Sequence, residues 1–226
     1  RIILIRPNWK TPYSGMLPGL LAGHYDNDDI HIDLRQLCTW ANVRFIEDHV
    51  VSIDRQKKAL RLINHPSHYY DTLSLDIGAT PDLRIPGFKE FAQAVKPIDQ
   101  FYPQYLACIK RCRDTKSSTD KPFKIVVVGG GAGGIEVVLA LAHALSDINY
   151  IEVILAVRGD EFLTAYPNKV YQQVLKTLKT MKVTLLSNFD VIRVEKNKLV
   201  SGDGDTFFAN EIFICTQVIA AEWPKL

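Results

Sequence analysis

One stretch restricts what this chain can fold into more than any other: Lys124-Ile-Val-Val-Val-Gly-Gly-Gly-Ala-Gly-Gly-Ile-Glu136. The β-branched run Ile125 to Val128 has the continuous apolar character of a strand buried on both faces of a parallel sheet. It runs into Gly129-x-Gly131-x-x-Gly134, and then into Val137-Val-Leu-Ala-Leu-Ala-His-Ala-Leu145, which reads as a helix. Ile151-Glu-Val-Ile-Leu-Ala-Val157 follows as a second strand. Each glycine has a mechanical role in such a corner. Gly129 permits the tight turn, Gly131 lets a ligand touch the backbone, and Gly134 allows the helix to pack closely on the strand. The helix N-terminus then offers free N–H groups and the positive end of its dipole. The order strand, glycine turn, helix, strand is that of a dinucleotide-binding βαβ unit, with a ligand-free structural turn as the alternative.

The rest of the composition narrows the partners. At 226 residues the chain suits two small domains. Its net charge of +2 and scattered basic residues exclude a nucleic-acid-binding stripe, and Lys110-Arg-Cys-Arg113 is too short to form one. No apolar run is long enough to span a bilayer, and no signal peptide opens the sequence. The opening Arg1-Ile-Ile-Leu-Ile-Arg6 reads as the middle of a buried strand, so the chain is expected to be a piece of a longer protein. Cys38, Cys108, Cys112 and Cys215 contain no Cys-x-x-Cys spacing, which favours reduced thiols and a cytoplasmic setting over a disulfide or a metal pair. His65 and His68, beside Pro66, read as a solvated loop; no metal site is expected.

In chain order, the first strand gives way to a Pro- and Gly-rich shaped loop, Pro7 to Gly19. Ile30 to Trp40 reads as a helix capped by Asp28 or Asp29. Val43 to Ile46, His49 to Asp54 and Ala59 to Ile63 read as strands of a meander, and Tyr70 to Ile77 as a returning strand that ends in Gly78-Ala-Thr-Pro81. Lys89 to Lys96 and Gln104 to Arg113 read as helices before a polar linker, Asp114 to Pro122. After the glycine corner, Lys169 to Thr180 is an amphipathic helix and Val183 to Leu186 a strand. Val191 to Val194, Lys198 to Val200 and Thr206 to Phe208 form a second meander, and Ile212 to Thr216 a last buried strand. Helix, strand, meander and closing strand thus occur twice, at 30–77 and 169–216.

On these residues the chain resembles the FAD-dependent pyridine nucleotide–disulfide oxidoreductase superfamily. Ile125 to Glu136 with the elements after it resembles the pyridine-nucleotide domain; Arg1 to Pro81 resembles the FAD domain without its first strand and glycine turn. Thr11-Pro-Tyr-Ser-Gly-Met-Leu-Pro-Gly19 and Asp71 to Pro81 are similar to a narrower group, related to the type II NADH dehydrogenases and sometimes fused to selenide, water dikinase. The implied fold is α/β: two Rossmann-like three-layer domains with antiparallel meanders, at 1–120 (partial FAD-binding, with linker) and 121–226 (NAD(P)-binding).

The resemblance implies cofactors and site residues. Ser14, Gly15 and Met16 would lie near the flavin, the backbone of Val50 would meet the adenine, and Gly78, Ala79 and Pro81 would close over the FAD. Gly129, Gly130, Gly131 and Gly134 would hold the NAD(P)H pyrophosphate, with Thr216 closing the domain. Glu136 matches the acid after the glycine turn and is the ionisable catalytic candidate near the nicotinamide. Without the family, Ser14 and Met16 read as a loop residue and a core filler, Val50 as a strand residue and Glu136 as a salt-bridge former. For the nucleotide, Val157 stands where an NAD site usually has its acid. Arg158 beside it suits a 2′-phosphate and favours NADPH, whereas Gly134 is commoner with NAD.

The implied function is an FAD-dependent NAD(P)H oxidoreductase passing electrons to a quinone or other small acceptor; the missing redox Cys pair speaks against disulfide reduction. The alternative is a non-catalytic nucleotide-binding sensor or regulatory module attached to another enzyme. Two departures favour it: Val157, and Gln217 where the family has glycine after Thr216. The family's FAD pyrophosphate turn and its C-terminal region lie outside this sequence. Retention of FAD by this chain, a homodimer, and a peripheral membrane contact through residues beyond Leu226 therefore stay open.

Overall fold

β-Branched and aromatic runs alternate with short amphipathic helices throughout the chain, and a computed structural model describes residues 1–82, 84–115, 122–216 and 218–220. From the N-terminus, β1 (Ile3–Arg6) and β2 (Lys10–Pro12) precede a single turn of 3-10 helix (Ser14–Met16) and α1 (Leu17–Leu21). Then come β3 (His31–Asp33), α2 (Leu34–Trp40), β4 (Arg44–Glu47), β5 (Val50–Asp54), β6 (Ala59–Leu62), β7 (His68–Tyr69) and β8 (Ala79–Pro81). The next elements are α3 (Phe88–Phe91), β9 (Gln93–Ala94), α4 (Ile98–Asp114), β10 (Phe123–Val128), α5 (Ala132–Ala144) and β11 (Ile151–Ala156). The last are α6 (Asn168–Thr180), β12 (Thr184–Leu186), β13 (Val191–Glu195), β14 (Lys198–Ser201), β15 (Thr206–Phe208), β16 (Glu211–Ile214) and β17 (Val218–Ala220).

The described residues divide into two compact units, one within 1–14, 27–80 and 220–226, the other within 15–26 and 81–219. In the first unit β1 pairs in parallel with β4, from Ile3 against Arg44 to Arg6 against Glu47. β2 and β3 form an antiparallel ribbon, and β5, β6 and β7 an antiparallel meander with a bulge between Val50 and Ser52.

The second unit is organised on a five-stranded sheet in the order β12-β11-β10-β16-β9, parallel at every pairing. β10 lies at its centre, and Ile125, Val126 and Val127 have no solvent exposure, as a strand covered on both faces requires. Across the sheet Phe213 of β16 meets the ring of Phe101 from α4 edge-on, with centroids 5.4 Å apart. α1 packs on α5, and the Tyr105 hydroxyl of α4 donates to the Leu21 carbonyl. The antiparallel β13-β14-β15 sheet contributes Val191, Val194 and Leu199 to the same core as Val126, Ile154 and Ile214. The arrangement is a mixed α/β, Rossmann-like fold with a parallel sheet.

Several boundaries depart from expectation. Ile30 to Trp40 is not one helix. His31-Ile-Asp33 pairs with β2, and the helix starts only at Leu34 because the Asp33 carboxylate accepts from the Arg35 and Gln36 amides. Asp28 and Asp29 are therefore not the cap. Tyr70 to Ile77 forms no strand: no strand among the described residues pairs with it, and Leu75 and Ile77 stand about half exposed. Lys89 to Lys96 is not a single helix. Ala92 adopts an extended conformation, and Gln93-Ala94 leaves α3 to join the sheet edge beside β16. The helix expected from Gln104 begins earlier, at Ile98, and accommodates Pro103. Most of the polar linker, residues 116–121, lies outside the described residues.

Candidate functional site

The carboxyl end of β10 bends directly into α5. Val128 stands between Ala156 of β11 and Ile214 of β16, and its carbonyl accepts from the Cys215 amide at 2.8 Å while the Gly129 amide donates to Ala156 at 2.9 Å. Gly129 has φ +129°, and a Cβ there would lie 2.5 Å from the Cys215 carbonyl oxygen, so the turn admits no side chain. A Cβ on Gly134 would fall 1.9 Å from the Gly129 oxygen; the first turn of α5 rests on the strand's own backbone. Gly130 packs sideways, its absent Cβ only 2.9 Å from Val157 Cγ1 and from Phe162 Cβ.

Gly131 and Gly133 face open space, with nothing within 4 Å of a Cβ on either. Gly131 is the N-cap of α5, and its carbonyl accepts the Ile135 amide at 3.1 Å. The amides of Ala132, Gly133 and Gly134 precede that first helical bond and have no partner within the helix. Free donors, the positive helix end and a backbone bare of side chains thus coincide at one corner. Thr216 sits against the same corner, its amide 3.1 Å from the place of a Gly129 Cβ. Its Oγ1 is buried without a hydrogen-bond partner among the described residues. A bare amide cradle beside an orphaned hydroxyl fits a dinucleotide phosphate and sugar.

Over residues 2–222 the sequence matches the pyridine nucleotide-disulphide oxidoreductase family. The chain belongs to that family. It is 26% identical over 197 residues to the dihydrolipoyl dehydrogenase of Mycoplasma genitalium, covering 85% of this chain and 39% of that protein. It is also 26% identical over 181 residues to the type II NADH:quinone oxidoreductase of Haemophilus influenzae, covering 76% of this chain and 35% of the relative. The fold superimposes on NDH2 from Plasmodium falciparum, solved in complex with NADH, with a TM-score of 0.84 at 20% identity; 97% of this chain matches 50% of that one. This pyridine nucleotide-disulphide oxidoreductase chain thus spans at most about half the length of these relatives.

The other expected residues of this family member are placed as follows. Glu136 is exposed on α5, five residues past the N-cap. Val157 is 2% exposed, its side chain turned under Gly130, so the end of β11 presents no carboxylate from that position. Arg158, the next residue, is exposed, and Asp160 beyond it is engaged by the Asn188 amide group. Burial pushes the Cys215 thiol up to about 12 and so keeps it protonated beside the corner. Gln217 lies outside the described residues.

Ser14 and Gly15 are exposed and Met16 half-buried in their helical turn. Val50 is half-buried at the start of β5, opposite Leu62. Gly78 is exposed with φ +70°, Ala79 is half-buried, and Pro81 ends β8. The structure therefore gathers Gly129, Gly130, Gly131, Gly134 and Thr216 into one corner, with Arg158 next to the Val157 that packs on it.

Sequence reasoning missed Asp48, whose side chain is fully buried at the carboxyl end of β4. It accepts from the His49 amide at 2.7 Å, the Asn64 amide at 2.9 Å and His65 Nδ1 at 2.7 Å. Burial alone would raise its pKa, but the hydrogen bonds from His65, Asn64 and His49 outweigh it and hold the carboxyl far below the usual range. No spacing pattern in the sequence announces such a cluster.

Proposed function

We propose that this chain is the nucleotide-binding part of an FAD-dependent NAD(P)H oxidoreductase. Such an enzyme takes hydride from a nicotinamide, transfers it to flavin and passes electrons to a quinone or another small acceptor. The observation that carries this reading is the corner at Gly129 to Gly134, where free amides meet a backbone without side chains. Residues 1–120 would form a partial FAD-binding domain with its linker, and 121–226 an NAD(P)-binding domain. This is a division by ligand, since residues 15–26 and 81–115 pack with the second unit.

Bound nicotinamide and flavin supply the hydride chemistry, and the protein supplies position and electrostatics. In this reading the amides after Gly131 take the NAD(P)H pyrophosphate, and Gly129, Gly130 and Gly134 bring strand, turn and helix close enough for that. Thr216 Oγ1 takes a hydroxyl of the adjoining sugar. Arg158 pairs with a 2′-phosphate, which makes NADPH the preferred donor. Glu136 is the ionisable residue that would orient the nicotinamide. On the flavin side, Ser14, Gly15 and Met16 lie near the ring, the Val50 backbone meets the adenine, and Gly78, Ala79 and Pro81 cover the FAD. Unpaired cysteines favour a cytoplasmic setting in this reading. No helix among the described residues is long and apolar enough to cross a membrane. The same reading allows a homodimer and a peripheral membrane contact.

The burial of Val157 favours a second reading, a non-catalytic nucleotide-binding module, because the usual ribose acceptor is missing from the crevice. Anaerobic stopped-flow of the full-length protein separates the two. A yellow protein whose flavin bleaches on mixing with NADPH or NADH supports the oxidoreductase. A colourless one that binds nucleotide supports the module, and one that binds neither sinks both.

A further inference from the structure

The first unit carries a cation whose buried Nε has no counter-group among the described residues. Arg6 ends β1, and its Nε is buried without a hydrogen-bond partner among the described residues. Two carboxylates stand near its backbone, and neither pairs with its side chain among those residues. Glu47, its register partner across the parallel pair, is exposed, and no ion pair joins the two. Asp48, whose amide donates to the Arg6 carbonyl at 3.0 Å, already receives hydrogen bonds from His49, Asn64 and His65. A half-buried guanidinium without an acceptor is unfavourable and selects for an anion.

Its location specifies which anion. Open parallel sheets bind ligands beyond the carboxyl ends of their strands, and Arg6 occupies such an end, as Arg158 does just after β11. A carboxylate there would accept from ribose hydroxyls, whereas a guanidinium offers only donors, in a planar fork that matches a phosphate. We propose that Arg6 binds a phosphate group of an adenine nucleotide held by the first unit. This rests on the reading of that unit as nucleotide-binding. The phosphate belongs either to the pyrophosphate or to a phosphorylated ribose.

The test is calorimetric titration of the full-length protein, stripped of bound nucleotide, with adenosine, ADP and adenosine 2′,5′-bisphosphate. Wild type is compared with Arg6→Met, which keeps the apolar stem, and with Arg6→Lys, which keeps the charge. A second nucleotide site contributes the same binding step to all three proteins and is fitted as a separate, unchanged site, so that only the affinity of the first unit's site is compared. Arg6→Met should weaken a phosphorylated ligand about 10-fold or more while adenosine stays within about 2-fold, and Arg6→Lys should recover part of the loss. Loss confined to ADP identifies the pyrophosphate; loss confined to the bisphosphate identifies the ribose phosphate. If both ligands stay within about 2-fold, or adenosine weakens equally, the proposal is overturned while the nucleotide reading stands. If wild type binds none of the three, that underlying reading fails, and this one with it. Should Arg6→Met not fold, Arg6→Gln carries the same comparison.

Discussion

Gly134→Ala puts the glycine corner under direct strain. The added Cβ would sit 1.9 Å from the Gly129 oxygen, whereas ordinary contact begins at 3.4 Å, so α5 must lift off the turn by about 1.5 Å. That helix buries Ile135, Val138 and Leu141, and a shift of this size disturbs all three contacts. Overpacking of this kind costs about 3 kcal/mol, the upper part of its usual range, or roughly 6–12 °C in Tm for a protein of this size. Gly131→Ala is the control. Nothing lies within 4 Å of its Cβ, and its extended backbone (φ −81°, ψ 174°) suits any residue. It should cost less than about 1 kcal/mol in stability. Because the methyl projects into the space a pyrophosphate would use, it should nonetheless weaken NADPH binding about 10-fold, read from nucleotide fluorescence. Thermal unfolding of both variants, together with the titration, decides the matter. Equal Tm losses, or a Gly134→Ala protein within about 1 °C of wild type, would refute the assignment of separate packing and binding roles.

Three further outcomes follow from the geometry. Arg158→Ala should lower kcat/KM for NADPH about 10-fold and leave NADH nearly unchanged in steady-state assays of the full-length enzyme; an equal loss for both would remove Arg158 from 2′-phosphate recognition. The Asp48 carboxyl is held below its ordinary value of 3.8, so its contribution to stability is present above that value and disappears as pH falls through the depressed one. Asp48→Asn should therefore lower Tm most near neutrality, with a gap that narrows by about pH 3; a constant gap would contradict the hydrogen-bonded anion. Cys38, Cys108 and Cys112 are buried and the Cys215 thiol is pushed up to about 12, so native protein at about pH 8 should react with Ellman's reagent only slowly until denaturant is added.

The second unit was legible because its signals are local. A β-branched run, glycines at fixed offsets and a helical apolar period all fall within one stretch, and the parallel sheet through β10, β11 and β16 formed as those patterns require. Other elements depend on distant partners. Gln93-Ala94 reads as helix until β16 offers an edge, and His31 to Asp33 reads as helix until β2 pairs with it. Tyr70 to Ile77 has good strand alternation, but a strand needs a neighbour to bond with, and local pattern carries no information about one. The same holds for the site. Gly134 could be assigned to close packing from its spacing alone, whereas the contact of Gly130 with Val157 and Phe162, the orphaned Thr216 hydroxyl and the Asp48 cluster arise from residues far apart in sequence.

The inward turn of Val157 also limits how this protein could be re-engineered. A protein designer seeking to convert donor preference by installing an aspartate at that position would drive a charged group into the apolar wedge beneath Gly130, away from any sugar. Redirecting selectivity would have to begin at the solvent-facing Arg158 instead, where a new side chain can be placed without first dismantling the corner.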